Sequence, residues 1–176
     1  IDVAVPSDYM VSMMKAQNLL LKLDKSLLPL SQEIDPRYLK LEFDSDNSYS
    51  LPYIWTTSGI AYNSEMITNM GKTPPRSWRD FLENSAYKGK VSVLDDVREV
   101  AGLALKTLGF SLNSKNQNEI DQALKLLTNS KDQIKLFSSD TIDLLLNKEI
   151  ALAQSYSSDA LQAELKSGGK IKYLIP

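Results

Sequence analysis

The chain has 176 residues, of which 43% are hydrophobic and 24% charged, and its formal net charge is -2. These values are typical of a globular protein with a sizeable core. Cysteine and histidine are both absent, which excludes thiol nucleophiles, histidine-based catalytic triads and the usual zinc sites. The lysines are scattered and no apolar run reaches 18 residues, so we expect neither nucleic-acid binding nor membrane insertion by this chain.

The first residues, IDVAVP, are rich in β-branched side chains and predict a buried parallel strand that ends at Pro6. They lack the basic region of a secretory signal peptide, so we expect the chain to be cut from a longer protein. A helix is predicted to follow, with Ser7 or Asp8 as its cap. We expect its apolar stripe to fill the core; the stripe contains Met10, Met13, Met14 and Leu20.

The next part of the chain is polar and then extended. Asp44 and Asp46 lack the remaining ligands of a calcium loop, so we expect them to lie in a solvated loop. LPYIWTTSGIAYN predicts one long extended segment. Its centre, residues 56–59, consists of small residues, which indicates a bend or a crossing between two lobes.

Strands and helices alternate in the rest of the chain. This order predicts right-handed βαβ units, a mostly parallel sheet and the α/β fold class. The predicted strands are GKVSVL, DQIKLF, IALAQSY and KIKYLIP. Five helices are predicted before or between these strands. The first begins after Ser77, the second spans 96–108 and the third 118–128. The fourth follows DQIKLF, and the fifth is ended by Gly168 and Gly169.

Three carboxylates stand before the apolar run of VLDDVREVAGLAL. Asp96 and Glu99 have the spacing of a capping box, in which the first accepts from backbone N–H groups and the second reaches back. Acids are also favoured near the positive end of a helix dipole. A structural role and a ligand-binding role for Asp95, Asp96 and Glu99 therefore both remain open.

Polar residues follow three of the predicted strands, where open α/β sheets bind their ligands. None of the three places carries the glycine-rich loop that a phosphate requires. Carboxylates and aromatic faces can instead bind an ammonium group. The sequence therefore favours a cationic ligand. The residues at these strand ends include Ser7, Asp8, Tyr9, Asp95, Asp96, Glu99, Gln154 and Tyr156.

Four strings, together with their order, resemble one known family, the polyamine-binding (spermidine/putrescine) substrate-binding proteins of bacterial ABC importers. The resemblance extends over essentially the whole chain. It implies a periplasmic-binding-protein-like fold of type II, with two lobes of which the first is incomplete here. The strings are VPSDYMV, LPYIWTTSGIAYN, SWRDFLENSAYKGKVSVLDDVREVAGLALKTLGFSLN and IALAQSYSSDA.

The resemblance implies ligand contacts for Ser7 and Tyr9 in the first lobe and for Asp96 and Glu99 in the second. Tyr156 matches a tryptophan that packs against the methylene chain of the ligand, and this substitution leaves a smaller aromatic face. The resemblance and the strand-end positions also give weaker candidates: Asp8, which stands where a neutral residue is usual, Trp55, Asp95 and Gln154.

By the same resemblance, we expect residues 1–56 to form part of the first lobe and residues 57–172 most of the second. Residues 173–176 would then begin a returning hinge strand. We expect half of such a protein to bind ligand poorly by itself. The implied partners are a polyamine and ABC permease subunits, the implied location is periplasmic or extracytoplasmic, and no cofactor or metal is expected.

Three alternatives remain open. The first is a solute-binding protein for another cationic small molecule. The second is a hydrolase that uses Asp96 and Glu99 as acid and base, although two acids one helical turn apart lie on the same side of any substrate. The third is a structural lobe without binding of its own. We expect no enzymatic activity.

Overall fold

The computed structural model of the chain describes residues 2–176. It divides into two compact units, of which the first ends at Trp55 and the second spans Thr56–Pro176. This boundary lies at the start of the small-residue segment, residues 56–59, for which the sequence indicated a bend or a crossing between two lobes. The assignment of the units to the lobes of a solute-binding protein stays a prediction.

The first unit contains one α-helix, α1 (Asp8–Ala16), with Ser7 at the N-cap position. The helix therefore begins where the sequence predicted. Short 3-10 turns make up most of its remaining regular structure, and no strand is present in residues 2–55. These turns are Lys25–Leu27, Pro29–Glu33, Pro36–Tyr38 and Glu42–Asp44.

The strand predicted for IDVAVP is wrong for the residues that the structure describes. Residues 2–6 have no regular structure, and the side chains of Val3 and Val5 are 82% and 68% exposed. An extended segment becomes a strand only where a neighbour supplies backbone hydrogen bonds. No such neighbour exists in the described part of the first unit. Ile1, at the start of the prediction, lies outside the described residues.

The methionine side chains of α1 do not fill a core, as the sequence had predicted that they would. Val11 is the buried residue of the helix, whereas Met13 is 50% exposed. Met10 and Met14 are only partly buried. Helical spacing predicted the helix correctly but could not identify which face finds a packing partner.

Asp44 also differs from its prediction, because it is completely buried. Its Oδ2 accepts hydrogen bonds from the Tyr49 N–H at 2.9 Å and from the N–H and hydroxyl of Ser50 at 2.8 and 2.9 Å. The Lys15 ammonium lies 3.4 Å from Oδ1. Burial alone would raise the pKa of Asp44, but these hydrogen bonds outweigh it and hold the pKa below its usual 3.8.

The second unit is built on a five-stranded sheet with the order β3-β2-β4-β1-β5. β2 is parallel to β3 and β4, whereas β1 is antiparallel to β4 and β5. Four strands therefore run in one direction, and the predicted α/β class with a mostly parallel sheet is confirmed. The strands are β1 (Ser58–Asn63), β2 (Val91–Val93), β3 (Ile134–Phe137), β4 (Leu152–Tyr156) and β5 (Ile171–Leu174).

Six helices follow or connect these strands in the second unit. One or two of them lie between each pair of consecutive strands. The predicted cap at Ser77 is confirmed, because its side chain accepts from the Asp80 N–H. The helices are α2 (Ser64–Asn69), α3 (Trp78–Glu83), α4 (Val97–Thr107), α5 (Gln117–Asn129), α6 (Thr141–Leu146) and α7 (Ser157–Lys166).

Helices cover both faces of this sheet. Neighbouring residues of β1 belong to different apolar clusters: Ile60 packs with Phe81 of α3 and Leu103 of α4, whereas Ala61 packs with Leu145 of α6. Successive side chains of a strand point to opposite faces, so the two clusters lie on opposite sides of the sheet. This double cover makes the sheet a rigid support for the residues at its strand ends.

The long extended segment predicted for LPYIWTTSGIAYN is only partly a strand. The ladder with β4 begins at Ser58, which pairs with Tyr156. Before it, Tyr53 and Trp55 remain 80% and 64% exposed. The strand is limited to the residues that pair with at least one neighbour, since Ser58 and Gly59 pair with β4 alone and the β5 ladder begins at Ile60.

Candidate functional site

The carboxyl end of β2 is followed directly by an acidic segment, residues 95–99. Leu94 is buried, Asp95 is exposed, and Asp96 then caps α4. Asp96 Oδ1 accepts hydrogen bonds from the N–H groups of Arg98 at 2.8 Å and Glu99 at 3.1 Å. The capping role predicted for Asp96 is therefore confirmed, and it fixes the carboxylate at the start of the helix.

Glu99 does not complete the predicted capping box. Its carboxylate Oε2 instead accepts a hydrogen bond of 2.6 Å from the hydroxyl of Ser58, at the start of β1. Glu99 is half-buried, and it forms no ion pair with a lysine or arginine among residues 2–176. A carboxylate held by a neutral donor retains its charge for another partner.

Gln154 ties the acidic segment to β4. Its side chain is 1% exposed, and its Nε2 donates to the Glu99 carbonyl at 3.0 Å. Its Oε1 accepts from the Leu94 N–H at 3.3 Å. Both ends of the amide are thus used inside the protein, on either side of Asp95 and Asp96.

Tyr156 ends β4 and stands at the N-cap position of α7, where it is half-buried. Because β2 and β4 are parallel neighbours, the polar residues after their carboxyl ends meet at one edge of the sheet. The structure therefore brings together Asp96, Glu99, Gln154 and Tyr156 of the predicted residues, with Ser58 added to them.

Two residues of this neighbourhood were missed by the sequence reasoning. Ser58 lay within the small-residue segment, but no spacing linked it to Glu99. Tyr173 of β5 donates its hydroxyl to the Thr57 carbonyl at 2.9 Å. Burial raises the pKa of Tyr173, and the negative charge of Glu99 raises it further, against the opposite effect of the Thr57 side-chain hydroxyl, which lies 3.2 Å from the phenol oxygen.

The remaining predicted residues belong to the first unit. Ser7 and Asp8 are exposed at the start of α1, and Asp8 Oδ1 accepts from the Tyr9 N–H at 2.6 Å. Tyr9 is half-buried. Trp55 stacks on Tyr38 with ring centroids 6.1 Å apart.

The edge of the sheet at which Asp96, Glu99 and Tyr156 lie is called the acidic edge. Its carboxylates can accept hydrogen bonds from a cation, and Tyr156 offers an aromatic ring. Charge-assisted hydrogen bonds contribute about 1.5–3 kcal/mol each, and a cation over a tyrosine ring about 0.5–2 kcal/mol. A protonated amine can use both kinds of contact. No group of three or more acidic side chains within the described chain is arranged to hold a metal ion.

A surface depression lies at the opposite end of β1, near Asn63. Glu65 there is paired with Lys148 at 3.1 Å and with Lys170 at 2.7 Å. These neighbouring ammonium groups hold the pKa of Glu65 below its usual value. One carboxylate faces two ammonium groups there, so the charges around the depression do not favour a cation.

Comparisons with known proteins agree on the class of protein to which this chain is similar. The profile of the family described as bacterial extracellular solute-binding protein matches residues 1–176. The spermidine/putrescine-binding periplasmic protein of Escherichia coli K12 is 34% identical over 163 residues, which cover 92% of this chain and 46% of that protein. The chain therefore spans about half the length of the curated relatives it matches.

Solved structures show the same similarity. A protein from Listeria monocytogenes, named as a spermidine/putrescine ABC transporter, is 38% identical with a TM-score of 0.88, covering 100% of this chain and 53% of that one. A lipoprotein of Treponema pallidum is 30% identical with a TM-score of 0.81, covering 97% of this chain and 53% of that one. None of the helices in residues 2–176 is long and apolar enough to cross a membrane.

Proposed function

Since the chain belongs to the bacterial extracellular solute-binding proteins, we propose that it captures a polyamine outside the cytoplasm and delivers it to an ABC importer. Membership of this family is what the sequence resemblance predicted. The polyamine is proposed because relatives more than 30% identical are named for spermidine and putrescine. Those relatives are about twice as long as the matched chain, so the ligand and the importer are inferred for the whole protein.

The observation that carries the proposal is the half-buried Glu99 carboxylate. It is held by a neutral hydroxyl, it has no cationic partner in the described chain, and it lies beside Asp96 at one edge of the sheet. Burying part of a charge without a counter-ion costs free energy in the absence of ligand. An ammonium group that binds there recovers this free energy, which favours a cationic solute.

In this mechanism the second unit recognises an amine at the N-terminus of α4. Asp96 and Glu99 accept hydrogen bonds from the ammonium group, and Asp95 adds negative charge nearby. Tyr156 presents its ring to the ammonium group or to the adjacent methylene groups. We also propose Ser7 and Tyr9 as ligand contacts of the first unit, with Asp8 and Trp55 as further candidates.

We propose binding without catalysis. Asp96 is occupied as a helix cap, and Glu99 lies one turn away on the same helix. A glycosidase needs its two carboxylates on either side of the scissile bond. A permease is the proposed protein partner, and a periplasmic or lipid-anchored location follows the names of the relatives.

Titration calorimetry with putrescine, spermidine and arginine tests the proposal on protein expressed from the complete reading frame. We expect micromolar or tighter binding of a polyamine and at least tenfold weaker binding by Glu99→Gln, because a charge-assisted hydrogen bond is replaced by a neutral one. Glu149 is an exposed glutamate of the same unit, so Glu149→Gln is the matched control and should bind as the wild type does. Binding of arginine but no polyamine would assign a different cationic solute, and no binding of any of the three would contradict the proposal.

A further inference from the structure

Glu99 is held by three separate hydrogen bonds from outside the regular helix ladder. Its N–H donates to Asp96 Oδ1 at 3.1 Å, and its carbonyl accepts from Gln154 Nε2 at 3.0 Å. Its carboxylate Oε2 accepts from the Ser58 hydroxyl at 2.6 Å. The first two contacts fix the backbone of the residue, and the third fixes the end of a side chain with three rotatable bonds.

The hydrogen bond from Ser58 spans 41 positions of the chain, so it joins two elements that only the sheet brings together. Ser58 opens β1 and pairs with Tyr156 of β4. β1 lies between β4 and β5, so the serine hydroxyl is carried by an interior strand that is hydrogen-bonded on both sides from Ile60 onwards. A rigid donor of this kind lowers the entropy that Glu99 would lose on binding a ligand.

The contact also leaves part of the carboxylate available. Oε2 accepts from Ser58, whereas Oε1 makes no hydrogen bond with any residue of the described chain. A hydroxyl is uncharged, so it orients the carboxylate without neutralising it. A lysine or arginine in the same place would orient Glu99 but would compete with a cationic ligand.

We propose that Ser58 is a positioning residue, which holds the Glu99 carboxylate in the rotamer that binds the cationic ligand. This inference rests on the proposed function and extends it to a residue that has no direct contact with the ligand. Ser58 acts through Glu99 alone, so its contribution should disappear when Glu99 can no longer provide a carboxylate.

A double-mutant cycle measured by titration calorimetry tests this on protein from the complete reading frame. We expect Ser58→Ala to weaken polyamine binding about tenfold, as the loss of a hydrogen bond to a charged group would. In the Glu99→Gln background the same substitution should change the affinity less than twofold. Ser58→Thr retains a hydroxyl and should restore most of the affinity.

The matched control is Ser155→Ala. Ser155 is a buried serine of β4 whose hydroxyl lies 3.1 Å from that of Thr141, donates to the Tyr156 carbonyl at 3.2 Å and forms no hydrogen bond with Glu99. It tests whether loss of any hydroxyl from this sheet weakens binding. Equal affinities of Ser58→Ala and the wild type, an effect of the same size in the Glu99→Gln background, or an equal loss in Ser155→Ala would each overturn the inference.

A measurement without ligand separates this inference from the proposed function. Three-bond scalar couplings of the Glu99 side chain report whether it occupies one rotamer or several. We expect a single rotamer in the wild type and in Ser155→Ala, and averaged couplings in Ser58→Ala. If no polyamine binds, the proposed function fails, but the couplings still decide whether Ser58 positions Glu99. Averaged couplings in the wild type would overturn the inference.

Discussion

Two substitutions of Asp96 separate its structural role from its proposed role in binding. Asparagine has the same shape and is as good an N-cap as aspartate. Asp96→Asn therefore keeps an oxygen that can accept from the N–H groups of Arg98 and Glu99. In the wild type these groups donate to Oδ1 at 2.8 and 3.1 Å. Asp96→Ala removes both the acceptor and the charge.

The expected changes in the free energy of unfolding follow from these contacts. Asp96→Asn loses the interaction of the charge with the helix dipole, about 0.3–1 kcal/mol. Asp96→Ala loses the cap as well, which costs about 0.5–2 kcal/mol in addition. Urea denaturation followed by circular dichroism measures the difference. Asp140 is the N-cap residue of α6 without a side-chain cap bond, so Asp140→Ala should be less destabilising than Asp96→Ala.

Binding should respond differently from stability. Hydrogen bonds to a charged group exceed neutral ones by about 1.4 kcal/mol, which corresponds to a tenfold change in the dissociation constant. Both Asp96 variants should therefore bind a polyamine at least tenfold more weakly in titration calorimetry, although only Asp96→Ala is strongly destabilised. Wild-type affinity of a well-folded Asp96→Asn would refute the ligand role and leave Asp96 as a helix cap alone.

Three further predictions concern stability. Gln154→Leu should lower the free energy of unfolding by about 1–3 kcal/mol in urea denaturation, because it leaves the buried Leu94 N–H without its acceptor; a change below about 0.5 kcal/mol would contradict this. Gly59→Ala should cost about 1–3 kcal/mol in the same assay, since a Cβ there would lie 2.5 Å from the Leu174 carbonyl oxygen and from the Tyr173 hydroxyl. A wild-type denaturation midpoint in that variant would show that β5 can move aside. Asp44 has a folded-state pKa below its usual 3.8, so its contribution to stability is present above that value and is lost as the pH falls through the folded-state pKa. Urea midpoints between about pH 5 and pH 3 should therefore fall more steeply in the wild type than in Asp44→Asn, and parallel curves would disprove the assignment.

The acidic edge illustrates how capping and binding can share one residue. Asp96 uses one oxygen, Oδ1, for the two backbone N–H groups of α4. The cap holds the carboxylate in a defined position at the end of β2, where ligands of α/β proteins bind. A structural contact that fixes an acid in place reduces the entropy cost of its contact with a ligand. The two roles that the sequence left open are therefore compatible.

Local interactions could be predicted from the sequence. The cap of α4 at Asp96 and the cap of α3 at Ser77 depend on contacts two or three positions along the chain. Such contacts form whenever the helix forms, so the spacing of the residue types is sufficient to identify them. The alternation of helices and strands likewise predicted the α/β class, and the family followed from the order of the motifs.

The sequence could not show which extended or amphipathic segments find partners. IDVAVP has the composition of a strand, yet Val3 and Val5 remain exposed because nothing in the described part of the first unit pairs with them. Asp44 lies in a polar segment that is typical of a solvated loop, yet it is buried and accepts hydrogen bonds from Tyr49 and Ser50. Burial and pairing depend on neighbours that periodicity does not identify.

The class of fold, the family and the acids at the start of α4 could all be predicted without the structure. The contacts that hold Glu99 could not, because Ser58 and Gln154 lie 41 and 55 positions away from it. Backbone spacing carries information over a few residues, whereas a contact across a sheet depends on strand order and register. The sheet order places β1 beside β4 and β4 beside β2, and this arrangement brings the hydroxyl, the amide and the carboxylate within hydrogen-bond distance.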